Sequence, residues 1–140
     1  MKQRLPLTAE GMTGRWVEVR QLTASETRAI ETLAAQFAAQ GTMIEVRRVE
    51  MLHSLATMVQ RVTKEPLGPL TDTKGKPLPN RDEMLEGAEW VAFDKDSMIA
   101  GISEPFNAKE YYFLELVYRR LHEVSVGELE ALMGKGVSAP

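Results

Sequence analysis

Cysteine is absent from the 140-residue chain, which excludes disulfides, thiolate nucleophiles and thiolate-held metals. Histidine occurs only at His53 and His122. A zinc-protease helix needs a second histidine four residues after the first; after His122-Glu123 that place is taken by Val126. Ser54 follows His53 directly, and adjacent helix positions do not face each other, so the two form no nucleophile–base pair. Gly68 and Gly75 lack phosphate-loop spacing, and Asp72, Asp94 and Asp96 miss the calcium-loop register. No run approaches the roughly 18 apolar residues of a membrane span, and the start carries no signal-peptide core. The formal charge is −3, so no electrostatic bias favours nucleic acid or anionic lipid. Tyr111, Tyr112 and Phe113 are bracketed by Glu110 and Glu115 instead of a basic groove, unlike a base-stacking platform. The expectation is a cytoplasmic, non-enzymatic protein without metal or cofactor, and with neither nucleic acid nor membrane as partner.

What is present is an ordinary globular composition, with 44% hydrophobic and 26% charged residues, enough for one domain with a core. Residues 1–13 read as an extended arm whose Leu5 and Leu7 can pair with the next segment. Trp16-Val17-Glu18-Val19-Arg20 alternates as a short strand, with Trp16 falling on the charged side. Thr23 and Glu26 then have the spacing of a capping box. Ile30, Leu33, Ala34, Phe37 and Ala38 form one helical stripe, and Gly41 is placed to end that helix. A second helix reads from Thr42 or Met43 to Val62, on Ile44, Met51, Leu52, Leu55, Met58, Val59 and Val62. Residues 66–80 hold four of the seven prolines and read as a mobile loop. Residues 81–85 suggest a helical turn, 87–93 a strand, and Asp94 to Ile102 a short helix. Asn107 and Glu110 repeat the capping-box spacing before a helix on Tyr111, Leu114, Val117, Tyr118 and Leu121, broadened by Phe113 and Leu116. Ser125 and Glu128 open a last helix through Met133, and 134–140 is a frayed tail.

The expected fold is therefore mainly α: an α+β domain over residues 14–133, with a helical hairpin, a C-terminal helix pair and a small β element near the N-terminus. That β element is expected to meet residues near Trp90 to Phe93.

Two stretches carry a resemblance. "GRWVEVRQLTASETRAIETL" (Gly14 to Leu33) is similar to the start of many tail assembly chaperones of long-tailed bacteriophages, where a strand of pattern V-x-V-R-x-L-T enters a glutamate-bearing helix. "LVYRRLHEVSVGELEAL" (Leu116 to Leu132) resembles that family's closing helix and its capped turn. The resemblance covers about a quarter of the chain. It implies a helical protein of the host cytoplasm that binds the tape-measure protein, or another tail protein, during tail morphogenesis and self-associates. A partner surface then reads onto Ala34, Phe37, Ala38, Met51, Leu55 and Met58, with Met43 beside them, since alanine and methionine make adaptable apolar grooves. Taken one by one, the same side chains read first as the core of a monomer. A connector or baseplate component of the virion, or a small cytoplasmic adaptor domain, also fits these features.

Overall fold

Four short strands, each too weak to stand alone, combine into one antiparallel sheet in the order β1 (Lys2–Pro6), β2 (Trp16–Arg20), β3 (Val59–Thr63) and β4 (Trp90–Ala92). The computed structural model describes residues 2–39, 43–101 and 105–122. Among these, five helices accompany the sheet: α1 (Ala24–Ala38), α2 (Met43–Met58), α3 (Arg81–Gly87), α4 (Lys95–Ile99) and α5 (Ala108–His122). This overturns the mainly helical expectation. The architecture is α+β, and the sheet is a main element on which both layers pack, not a small appendage. The second member of the expected C-terminal helix pair, Ile102, Gly41 and the tail lie outside the described residues.

The misreading has a local cause. Val59 and Val62 are three residues apart and both buried, the spacing of a helix face. In the structure α2 ends at Met58 and the chain passes straight into β3. There Val17 stands opposite Val62 and Val19 opposite Val59, with a register shift between Glu18 and Val19. The extra residue, Gln60, is a β-bulge, and it lets two valines three apart share one face of a strand. Gln60 also closes α2. Its amide donates to Thr57 O (2.8 Å) and Met58 O (3.2 Å), two of the carbonyls a helix end leaves without partners.

Leu5, Val17, Val19, Val59 and Val62 belong to the inner face, where Leu55, Ala56, Met58, Met98, Phe106 and Leu114 pack on them. Helix α2 is the centre of that layer and touches α1, α4 and α5. The outer face is covered as well. Trp16 packs with Leu70 and Leu85, flanked by Leu67, Leu78 and Trp90, and its Nε1–H donates to Gly68 O at 2.7 Å. Trp16 thus falls on the charged side of β2 because that side also carries a small apolar cluster, supplied by the 66–80 loop and α3. Leu70 holds φ 51°, a conformation that costs a non-glycine residue energy, while its side chain stays buried against the tryptophan. β4 pairs with β3, Val91 opposite Val62, and not with β2 as the sequence suggested.

Local capping chemistry sets the helix starts. Thr23 Oγ1 accepts from Glu26 N and the Glu26 carboxylate accepts from Thr23 N, while Arg20 forks onto both Glu26 oxygens at 2.7 Å. The Arg20 guanidinium, aided by the Thr23 amide, holds the Glu26 carboxyl at about 2. Glu110 does more. It is fully buried and exchanges hydrogen bonds with Asn107 (Asn107 N to Oε1, 3.0 Å; Glu110 N to Asn107 Oδ1, 2.9 Å). Its other oxygen accepts from Thr13 N (3.2 Å) and Thr13 Oγ1 (2.6 Å), and Arg15 stands 3.9 Å away. Gly14, at φ 87°, makes the turn that brings Thr13 round, and an added Cβ would meet Pro66 at 3.2 Å.

Two outcomes follow for stability. Glu110→Ala removes the acceptor for Thr13 and Asn107 and leaves their part-buried donors unmet, so denaturant unfolding should show a loss of about 3 kcal/mol. Glu26 has a folded pKa below its unfolded value, so its contribution is present above about pH 4.5 and is lost as pH falls toward 2. Glu26→Gln should lower stability at pH 7 by about 1 kcal/mol and flatten that stretch of the wild-type stability–pH curve.

Candidate functional site

The six residues read from the sequence as a partner surface divide between the core and the exterior. Ala34, Leu55 and Met58 are buried, Met58 completely. Met51 is half-buried at the margin of the inner core. Phe37 is 44% exposed and Ala38 lies open beside it on α1. The core explanation therefore accounts for half of the set. Met43's side chain lies outside the described residues.

A different apolar surface is built where α5 overlaps the edge of the sheet. At 100° per residue, the apolar positions of α5 run from Leu116 through Phe113, Val117, Leu121 and Leu114 to Tyr111 over about 220° of the helix circumference, interrupted by Arg120. A surface helix needs a stripe of about 100° to bury itself. Leu114 and its neighbours use that stripe against the core, with Leu114 fully buried. Phe113, Val117 and Leu121 are half-buried against the same core, and the exposed apolar side chains lie at the far margin, where Leu116 is 46% and Tyr112, just beyond it, 65% exposed. Between this flank and β1 lies a groove of about 580 Å³, lined by Gln3 and Leu5 from the strand and by Phe113, Leu116, Val117, Arg120 and Leu121 from the helix. Its size falls within the range of clefts that hold ligands.

Both walls are held in place. The N-terminal end of α5 is tied through Glu110 to Thr13, and Asn107 Nδ2 donates to Gly11 O at 2.9 Å. At the other end His122 Nε2 accepts from Leu22 N at 2.8 Å, while Nδ1 donates to Tyr118 O at 2.7 Å and the ring stacks on Tyr118. Gln21 Nε2 donates to Leu121 O at 3.1 Å. β1 is fixed to β2 along its full length, from Lys2 opposite Arg20 to Pro6 opposite Trp16. Each wall of the groove is thus tied by hydrogen bonds to the segments on either side of β2 or to β2 itself.

The polar concavity on the outer face is of another kind. Glu18, 3% exposed, accepts from Arg61 Nη2 (2.7 Å) and Nε (3.1 Å) and from Arg4 Nε (3.4 Å), with Lys2 at 3.8 Å. The Arg61 hydrogen bond, against an opposing cost of burial, holds its carboxyl below the usual range. Arg4 and Arg61 lie over the Trp90 ring, 5.1 and 5.3 Å from its centroid, and Arg4 also meets Glu86 at 2.6 Å. Lys2, Arg4 and Arg61 thus share Glu18 and Glu86. The cluster makes a buried glutamate tolerable in the sheet.

His53 is half-buried on α2, its basicity lowered by burial and then by Lys95, and His122 is spent on the latch to Leu22. Asp94 caps α4 through Ser97, and Asp72 closes the turn at Lys74 and Lys76. Among the described residues no three His, Asp or Glu side chains converge as a metal site, and no helix is long and apolar enough to cross a membrane. Comparison with known protein families, curated proteins and solved structures returns no match.

Sequence reasoning missed Leu5 and the outward flank of α5 as a joint surface. The available signal was the width of the apolar arc, which exceeds what one packing face consumes. If that division is right, Leu114→Ala should cost about 3 kcal/mol in a denaturant titration, whereas Leu116→Ala should stay within about 0.5 kcal/mol of wild type.

Proposed function

We propose that this protein is a non-enzymatic binding domain that acts as a tail assembly chaperone of a long-tailed phage, holding a segment of the tape-measure protein in the host cytoplasm while the tail is built. The observation that carries the reading is the groove between β1 and α5, a mainly apolar cleft with the exposed Leu116 on its wall. A cleft lined mainly by apolar side chains with a few polar groups at its rim has the make-up of a binding site. The resemblance at Gly14 to Leu33 and at Leu116 to Leu132 supports the choice of partner class. The first of those stretches forms β2 and the capped start of α1, and the second begins inside the groove wall, at Leu116, Val117, Arg120 and Leu121. In this reading the client meets the groove, and Phe37 with Ala38 on α1 provides a second exposed apolar patch.

The test is co-expression with the tape-measure protein of the same phage, followed by pull-down, size exclusion with light scattering, and analysis of finished particles. The expected outcome is a soluble complex that needs both chains and is missing from mature particles. A homo-oligomer that ignores the tape measure would overturn the proposal. Retention in purified particles would do so too, in favour of a structural virion component.

A further inference from the structure

The groove presents two kinds of surface to a client: the free edge of β1 and the apolar flank of α5. An extended segment could extend the sheet at that edge, or a helix could lie along α5. Physical details at β1 and on α5 decide between them. Leu7 N donates to Arg15 O at 2.8 Å, so Leu7 directs its backbone at β2. By the alternation of an antiparallel ladder, Leu5 and Gln3 do the same, while Pro6, Arg4 and Lys2 turn theirs to the free edge. Pro6 has no N–H, which leaves that edge of β1 with the donors of Lys2 and Arg4 alone. A proline at this register is a device that blunts an edge strand. Strand addition therefore gains few hydrogen bonds here.

The other wall suits a helix. From Phe113 to Leu121 the groove follows α5 over a rise of about 12 Å at about 1.5 Å per residue, or some two turns of a partner helix lying alongside. Leu116 with Val117 forms the rim and floor into which side chains spaced i, i+4 and i+7 would seat. The rim also carries an exposed cation. Arg119 pairs with Glu115 at 3.5 Å, but Arg120, exposed on the groove wall, has no acidic partner among the described residues. Its i−3 and i−4 neighbours are Val117 and Leu116.

We infer that the groove between β1 and α5 binds an amphipathic α-helix of the client, about two turns long, whose apolar stripe is flanked by a glutamate or aspartate that pairs with Arg120. The inference rests on the binding-domain reading above and narrows it to one kind of segment.

The probe is a fluorescein-labelled 16-residue peptide with leucines at i, i+4, i+7 and i+11 and glutamates beside them, titrated by anisotropy into the full chain. Its controls are an isomer of the same composition with strictly alternating leucines, and a version with lysine for glutamate. The helical acidic peptide should bind at least tenfold tighter than the alternating isomer. Leu116→Asp should weaken it at least tenfold. Arg120→Glu should weaken it to a similar degree and bind the lysine version better than wild type does. Both substituted positions are exposed, so the variants keep the fold, and the charge exchange gives a gain of binding that misfolding cannot imitate. Equal or tighter binding of the alternating isomer, or indifference to both substitutions, overturns the inference.

Because the chain lacks cysteine, Leu116→Cys carrying a benzophenone marks the occupant directly. Cross-linking into the added helical peptide supports the inference, and cross-linking into a second copy or into residues 123–140 of the same chain overturns it. The two proposals fail separately. A tape-measure complex unaffected by Leu116→Asp and Arg120→Glu removes the groove and leaves the chaperone. Groove binding of the helical peptide without any tape-measure complex leaves the groove and removes the chaperone.

Discussion

The placement of α5 depends on one buried carboxylate. Glu110 has no exposure, and each of its oxygens is engaged: one closes the cap at Asn107, the other holds both donors of Thr13. A buried charge is tolerable only with such complete satisfaction, because desolvation otherwise outweighs its attractions. The requirement is geometric as well as energetic. Thr13 belongs to the turn between β1 and β2, so satisfying Glu110 fixes the start of α5 against the edge of the sheet, and with it one wall of the groove.

The sheet is the second constraint. Its strands are three to five residues long, and strands so short persist only when their faces are covered. The inner face receives α2, α4 and α5. The outer face receives Leu70, Leu85 and the ion-pair ladder around Glu18. Covering both faces is what dissolves the alternating polar–apolar pattern that would have announced these strands. It also gives the proline-rich segment 66–80 a place in the fold, through Leu67, Leu70 and Leu78 packed on Trp16. Apolar surface is left over at Phe37 and Val91 and where α5 meets β1, and the groove occupies that last margin.

The chain by itself determined what depends on three or four neighbouring residues. The capping boxes at Thr23 and Glu26 and at Asn107 and Glu110, the cap at Asp94, the apolar stripes of α1 and α5 and the pairing of Leu5 with the strand that follows were all legible, since these are interactions within a turn or across one connection. Tertiary structure decided the rest. Gln60 bulges only because β2 and β4 lie on either side of it, and no pattern within residues 55–63 distinguishes that bulged strand from another turn of helix. Ala34, Leu55 and Met58 became core because α2 packs centrally, so an adaptable-looking surface was consumed on folding. Arg120 and Leu116 became a groove wall because β1 returned beside them from more than a hundred residues away. Local sequence dictates which face of an element is apolar, but whether that face is buried or offered to a partner depends on how many other faces compete to cover it.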